Sequence, residues 1–170
     1  MGDFEEIIVR WSVRLSVFCY LIFCLSKSPA DLTDESSQSK RILWIWTLGL
    51  IFFLIHFVAS MGFAHRWSHQ MAYESTANQT QAVTGWHWGG GIYFNYLFTL
   101  VWFFDVAMWW KQGPGWLNNR AYQICLHSFF AFIVFNATVV FGPRFWWLVA
   151  LVFFPALIWK IWKKTNKRFT

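Results

Sequence analysis

Three of the chain's five histidines fall within residues 65–91, HRWSHQMAYESTANQTQAVTGWHWGGG. His65 and His69 are four apart, and on a continuous helix that spacing sets two imidazoles on one face, where they can grip one metal ion. His87, brought back by the loop, supplies a third ligand. Glu74 is near enough to act as a fourth ligand, as an acceptor behind the histidines, or as a general base. Gly89, Gly90 and Gly91 let the backbone approach a ligand closely or turn sharply. Three histidines with one open position suit zinc best, and copper or iron is also compatible. The pattern lacks the glutamate of H-E-x-x-H, so peptidase chemistry has no base where it needs one. It also lacks the repeated histidine boxes of a di-iron membrane oxygenase. The plainer reading makes these histidines interfacial residues, bonded to water and headgroups beside Trp67, Trp86 and Trp88.

A second set of polar groups lies inside apolar runs, where burial is expensive and each such group is a functional candidate. Asp105 is five residues from the end of its run and His127 six residues into the next. At ~1.5 Å per residue both lie roughly 8–9 Å deep from the same side. A carboxylate and an imidazole at one level can share a proton or a cofactor contact. His56 sits roughly 12 Å below the opposite face by the same rise. His56 and His127 therefore cannot clamp one haem from two sides, which makes haem the less favoured cofactor. Asn95 and Asn136 also lie toward the half that holds His56 and can hydrogen-bond it across helices.

The elements that must position these residues follow from composition. The 170 residues are 57% hydrophobic and 13% charged, with 14 Trp and 20 Phe. A soluble domain is about a quarter charged. The charge is missing in blocks: residues 42–64, 92–110, 121–141 and 145–162 each approach the ~20 apolar residues a spanning helix needs. Backbone groups in lipid must be satisfied within the segment, so such runs are helices. Residues 4–25 also repeat apolar side chains at helical spacing, with Arg10 and Arg14 on another face and Glu6 one turn before Arg10. Three readings compete for this segment. It is a spanning helix with snorkelling arginines, an amphipathic helix at the interface, or a signal peptide ending near Ser28-Pro29-Ala30. Spanning is the favoured one. The expected fold is an all-α membrane protein, one domain over 1–170. Four clear transmembrane helices and an N-terminal fifth form a small bundle, and a polar loop covers residues 65–91.

Residues 26–41 read as a polar linker, and Gly113-Pro114-Gly115 as a tight turn. Cys19, Cys24 and Cys125 lie in apolar runs without redox or disulfide spacing, as small buried apolar residues do. With the spans alternating, Lys27, Lys40, Arg41, Lys111, Arg120, Lys160, Lys163, Lys164, Lys167 and Arg168 share one side. Arg66 and Arg144 take the other. This asymmetry assigns the C-terminus to the cytoplasm and residues 65–91 to the extracytoplasmic side. Trp67, Trp86, Trp88, Trp146 and Trp147 then form an outer aromatic belt, and Trp44, Trp46, Trp109, Trp110, Trp116, Trp159 and Trp162 an inner one. Basic residues at span ends are no nucleic-acid signal, so the expected partners are the bilayer and possible further membrane subunits. The leading expectation is a membrane protein with a metal or cofactor site on the extracytoplasmic loop, redox or hydrolytic. Its alternative is a non-catalytic small subunit or scaffold of a larger membrane complex. A transporter has only the Asp105–His127 pair to support it.

Overall fold

The computed structural model describes residues 2–26 and 37–166. Among the described residues it is all helical, without strands. The order is α1 (Asp3–Leu25), α2 (Ser37–Ala59), α3 (His69–Thr84), α4 (Gly91–Gln112), α5 (Arg120–Phe135) and α6 (Phe145–Asn166). π-helical turns extend α2 through Ser60–Ala64 and α5 through Asn136–Val140, and a 3₁₀ turn, Gly113–Asn118, follows α4. Five helices are long and apolar enough to cross a membrane, and α1 is one of them. Residues 65–91, expected as a loop, are instead mostly α3. The suggested cleavage motif and most of the polar linker lie outside the described residues.

Local chemistry explains the boundaries. Asp3, Glu5 and Glu6 stand in the first turn of α1, where carboxylates favour the helix dipole. Ser68 caps α3 by accepting the Met71 N–H (3.2 Å), and Gly85 ends it at φ 81°. Asn119 caps α5 through the Tyr122 N–H (3.1 Å).

The bundle is built on the antiparallel pair α1 and α2. Ser12 and Ser16 are buried on α1, and the Ser16 hydroxyl donates to the Gly49 carbonyl of α2 (2.9 Å). Small residues let two backbones approach closely, and a hydroxyl can then bond across them. Gly49 also admits α4. A Cβ at this position would lie 2.8 Å from Cζ2 of Trp102 and 3.2 Å from Cβ of Cys19.

Around that contact the core is aromatic. Trp102 packs against Trp46 (centroids 5.0 Å), Phe98 (5.2 Å) and Phe130 (5.2 Å), and Phe23 stacks obliquely on Trp46 (4.3 Å). Such pairs add to area burial through the ring quadrupoles. α6 is peripheral: of its described side chains only Trp146 is buried.

The two tryptophan belts therefore need correction. Trp46 and Trp109, expected at the inner interface, are each 1% exposed in the core, and Trp146 of the outer set is 5% exposed. Trp67, Trp86 and Trp147 are well exposed.

Overpacking at Gly49 tests this frame. Gly49→Leu should lower stability by about 1–3 kcal/mol, because three helices must move apart. Denaturant unfolding of the detergent-solubilised variant would measure it, and an unchanged midpoint would refute the close approach.

Candidate functional site

Asp105 gathers three side-chain hydrogen bonds. It is 2% exposed on α4. Its Oδ2 accepts the Trp46 indole N–H from α2 (2.8 Å). Its Oδ1 accepts the Trp116 indole N–H from the 3₁₀ turn (2.8 Å) and the Tyr122 hydroxyl from α5 (3.0 Å). Gly113, at φ 65°, allows the reversal that folds Trp116 back beneath α4. Three neutral donors from three segments thus meet one carboxyl group. A buried polar group in such a network is satisfied only while every segment stays in place.

His127 is not the partner of Asp105. Both its ring nitrogens are buried and have no hydrogen-bond partner among the described residues. The ring lies beside Phe23 (centroids 5.3 Å) and edge-on to Trp46 (5.9 Å), so the indole that serves Asp105 also borders the imidazole. The expected proton-sharing pair is therefore absent: the three donors already occupy the carboxyl oxygens. Gln123, one turn earlier on α5, likewise has a buried, unpartnered Nε2.

His56 also has a different partner from the expected one. Its Nδ1 lies 2.9 Å from the Val9 carbonyl of α1. Asn136 spends its side-chain N–H₂ on the Phe132 carbonyl of its own helix (2.7 Å). His56 thus ties α2 to α1 and adds a second polar link to the Ser16–Gly49 contact.

At the α3 end the three candidate metal ligands separate. The helix expected to carry His65 and His69 together is broken by left-handed Arg66 (φ 48°) and Trp67 (φ 58°). His65 ends the π turn through its N–H to the Ser60 carbonyl (3.1 Å), and partial burial holds its imidazole below the usual pKa. His69 begins α3, with Nδ1 2.9 Å from the Tyr96 hydroxyl and Nε2 3.4 Å from the Tyr93 hydroxyl on α4. His87 meets Glu74 instead (Nε2 to Oε2 3.6 Å) and Asn78 (Nε2 to Oδ1 3.3 Å). Glu74 and Asn78 are four apart on α3, so both reach the returning loop.

Among the described residues no group of three or more His, Cys, Asp and Glu is arranged to hold a metal ion. The three-histidine centre expected from spacing is therefore not assembled, because the turn at residues 66 and 67 directs His65 and His69 into different elements. The glycines serve packing. A Cβ on Gly89 would strike the Tyr73 carbonyl, and one on Gly90 the Trp88 ring.

Sequence reasoning named Asp105 but missed its three donors. Trp46 and Trp116 were indistinguishable from interface tryptophans in a chain with 14 of them. The usable signal was that an intramembrane carboxyl needs nearby N–H or O–H groups.

An all-helical bundle with five helices able to cross a membrane, tied by a buried carboxyl cluster, is the class the geometry defines. Compared with protein-family models, curated proteins and solved structures, the chain matches none.

The two central polar residues should respond oppositely to removal. Asp105→Leu strands three donors at ~1–3 kcal/mol each, so it should be strongly destabilised, and Asp105→Asn, which keeps one carbonyl acceptor, less so. His127→Leu should stay within about 1 kcal/mol of the parent chain, since no hydrogen bond is lost. Unfolding midpoints in detergent would rank the three. A His127→Leu loss as large as that of Asp105→Leu would contradict the assignment.

Proposed function

We propose that the chain is a five-span integral membrane protein acting as an accessory subunit of a larger membrane assembly. Residues 65–91 are extracytoplasmic in this reading, and the C-terminus is cytoplasmic. Charge supports the orientation. If α1 spans, Arg10 joins Arg66 and Arg144 toward the outside and Arg14 falls at mid-helix, leaving ten of the fourteen Lys and Arg inside.

The observation that carries the subunit reading is α6. It is held to its own bundle mainly near its ends, yet Trp147, Leu148, Leu151, Val152 and Ile158 are all more than 60% exposed. Helices in lipid associate through side-chain packing and polar contacts rather than through a hydrophobic drive. A span contributing so little packing to its own chain is suited to contributing it to another. The intramembrane polar groups fit the same role, since Asp105, Ser16 and His56 are occupied in joining helices. In mild detergent the native mass should exceed that of one chain. Leu151→Trp with Ile158→Trp should reduce it to the monomer without lowering the monomer's unfolding midpoint. A monodisperse monomer from the parent chain would overturn the reading.

One contact favours a second reading, a cation site at the extracytoplasmic surface. Glu74, Asn78 and His87 present a carboxylate, an amide oxygen and an imidazole toward one point. These are donors a divalent transition metal such as zinc accepts, with water completing the shell. Here His65 and His69 take no part. Zinc titration should lose its signal in Glu74→Gln/His87→Ala and keep it in His65→Ala/His69→Ala; loss in both variants would instead restore the three-histidine arrangement, and loss in neither would overturn the site.

A further inference from the structure

α6 stands off from the bundle over its middle while touching it at both ends. At one end Phe18 packs on Trp146 (centroids 5.4 Å) and the Arg14 guanidinium lies over Phe145 (4.9 Å). At the other, the Lys160 ammonium donates to the Cys24 carbonyl (2.7 Å) and to the Ser26 carbonyl, closing the C-terminus of α1. Between these ties lies a crevice of about 150 Å³, walled by Val17 and Cys24 of α1, Val134 of α5, Val139 of the π turn that follows it, and Ala150 and Leu157 of α6. Its walls are apolar. The Thr138 hydroxyl at its margin is already spent on the Val134 carbonyl (2.6 Å).

A dry apolar cavity of ~150 Å³ excludes water and accepts a benzene-sized apolar guest. Left empty, its lining forfeits dispersion contacts. In a bilayer the available filler is an acyl chain, and the α6 wall from Trp146 to Leu157 rises about 16 Å, roughly one leaflet of a ~30 Å core. The end marked by Lys160 is also where charge gathers. Lys160, Lys163, Lys164, Lys167 and Arg168 follow one another in the sequence, and the Lys163 ammonium rests over the Trp159 ring (5.0 Å). Such a cluster beside a span attracts anionic headgroups.

We infer that the crevice between α1, α5 and α6 seats a segment of one acyl chain of an anionic phospholipid, with its headgroup at the basic end of α6. This rests on the bundle spanning a membrane. The lipid fills the standoff that side chains leave and joins α6 to the rest of the chain. A second helix cannot enter so narrow a space, so a partner subunit would meet α6 on its other flank.

The test is native mass spectrometry of the full chain in mild detergent, titrated with phosphatidylglycerol or with phosphatidylcholine. One phosphatidylglycerol should be retained per chain, in preference to phosphatidylcholine. Lys163→Glu, which spares the Lys160 tie to α1, should weaken phosphatidylglycerol by about fivefold or more. Ala150→Phe should abolish retention of both lipids while its unfolding midpoint stays at or above the parent's. Equal retention of the two lipids by the parent chain would overturn the headgroup assignment. Undiminished retention by a folded Ala150→Phe chain would overturn the crevice. Alkaline extraction of membranes separates the two levels: release of the chain would remove the membrane reading itself. A chain that stays in the membrane but binds no lipid would remove only this inference.

Discussion

A carboxyl group buried among apolar helices must be given hydrogen-bond donors by the protein, because its apolar surroundings offer none. Asp105 meets that demand with the indoles of Trp46 and Trp116 and the phenol of Tyr122. The rest of the bundle depends on this arrangement. It fixes the rotation of α2, because Trp46 must point inward rather than toward the interface. It fixes the 3₁₀ turn after α4, because Trp116 must reach back eleven residues to its acceptor. It also sets the entry of α5, where Asn119 caps the helix and Tyr122 completes the cluster. The aromatic packing around Trp46 and Trp102 then extends from rings that these bonds already hold in register.

Two further constraints act away from that centre. Where α1, α2 and α4 cross, Gly49 is the only size of residue the Trp102 ring and Cys19 leave room for, and Ser16 turns the close approach into a hydrogen bond. Where α6 joins, the helix is tied by Phe18 on Trp146, by Arg14 on Phe145 and by Lys160 on the end of α1. The contrast between a tightly packed centre and a loosely attached last helix is physical. Close packing needs small residues at the crossing, and α6 presents large ones on most of its surface.

At the α3 end, two consecutive left-handed residues decide the chemistry. Arg66 and Trp67 halt α2 and its π turn, and Ser68 restarts the chain as α3 in a new direction. Two histidines at helical spacing in the sequence are thereby assigned to different partners. His69 goes to the α4 tyrosines, while His87 is met by the Glu74 and Asn78 face of α3. Side chains four apart converge only when the backbone between them is one helix, and no residue between 65 and 69 is a proline or glycine that would have signalled the break.

The sequence by itself determined what depends on composition and one-dimensional pattern. Four apolar helices near the expected bounds follow because blocks of ~20 almost uncharged residues have few other stable states in or out of lipid. The N-terminal helix follows from apolar side chains recurring at helical spacing. That Asp105, His56 and His127 are polar residues set within apolar helices was equally legible, since each interrupts such a block; of the three only Asp105 is fully buried. Which groups those residues touch was decided only by the tertiary structure. Depth along a helix can be counted from the sequence, but rotation about its axis cannot. Rotation gave Asp105 two indoles and a phenol instead of His127, turned Trp46 and Trp109 from belt into core, and divided the three outer histidines among separate partners.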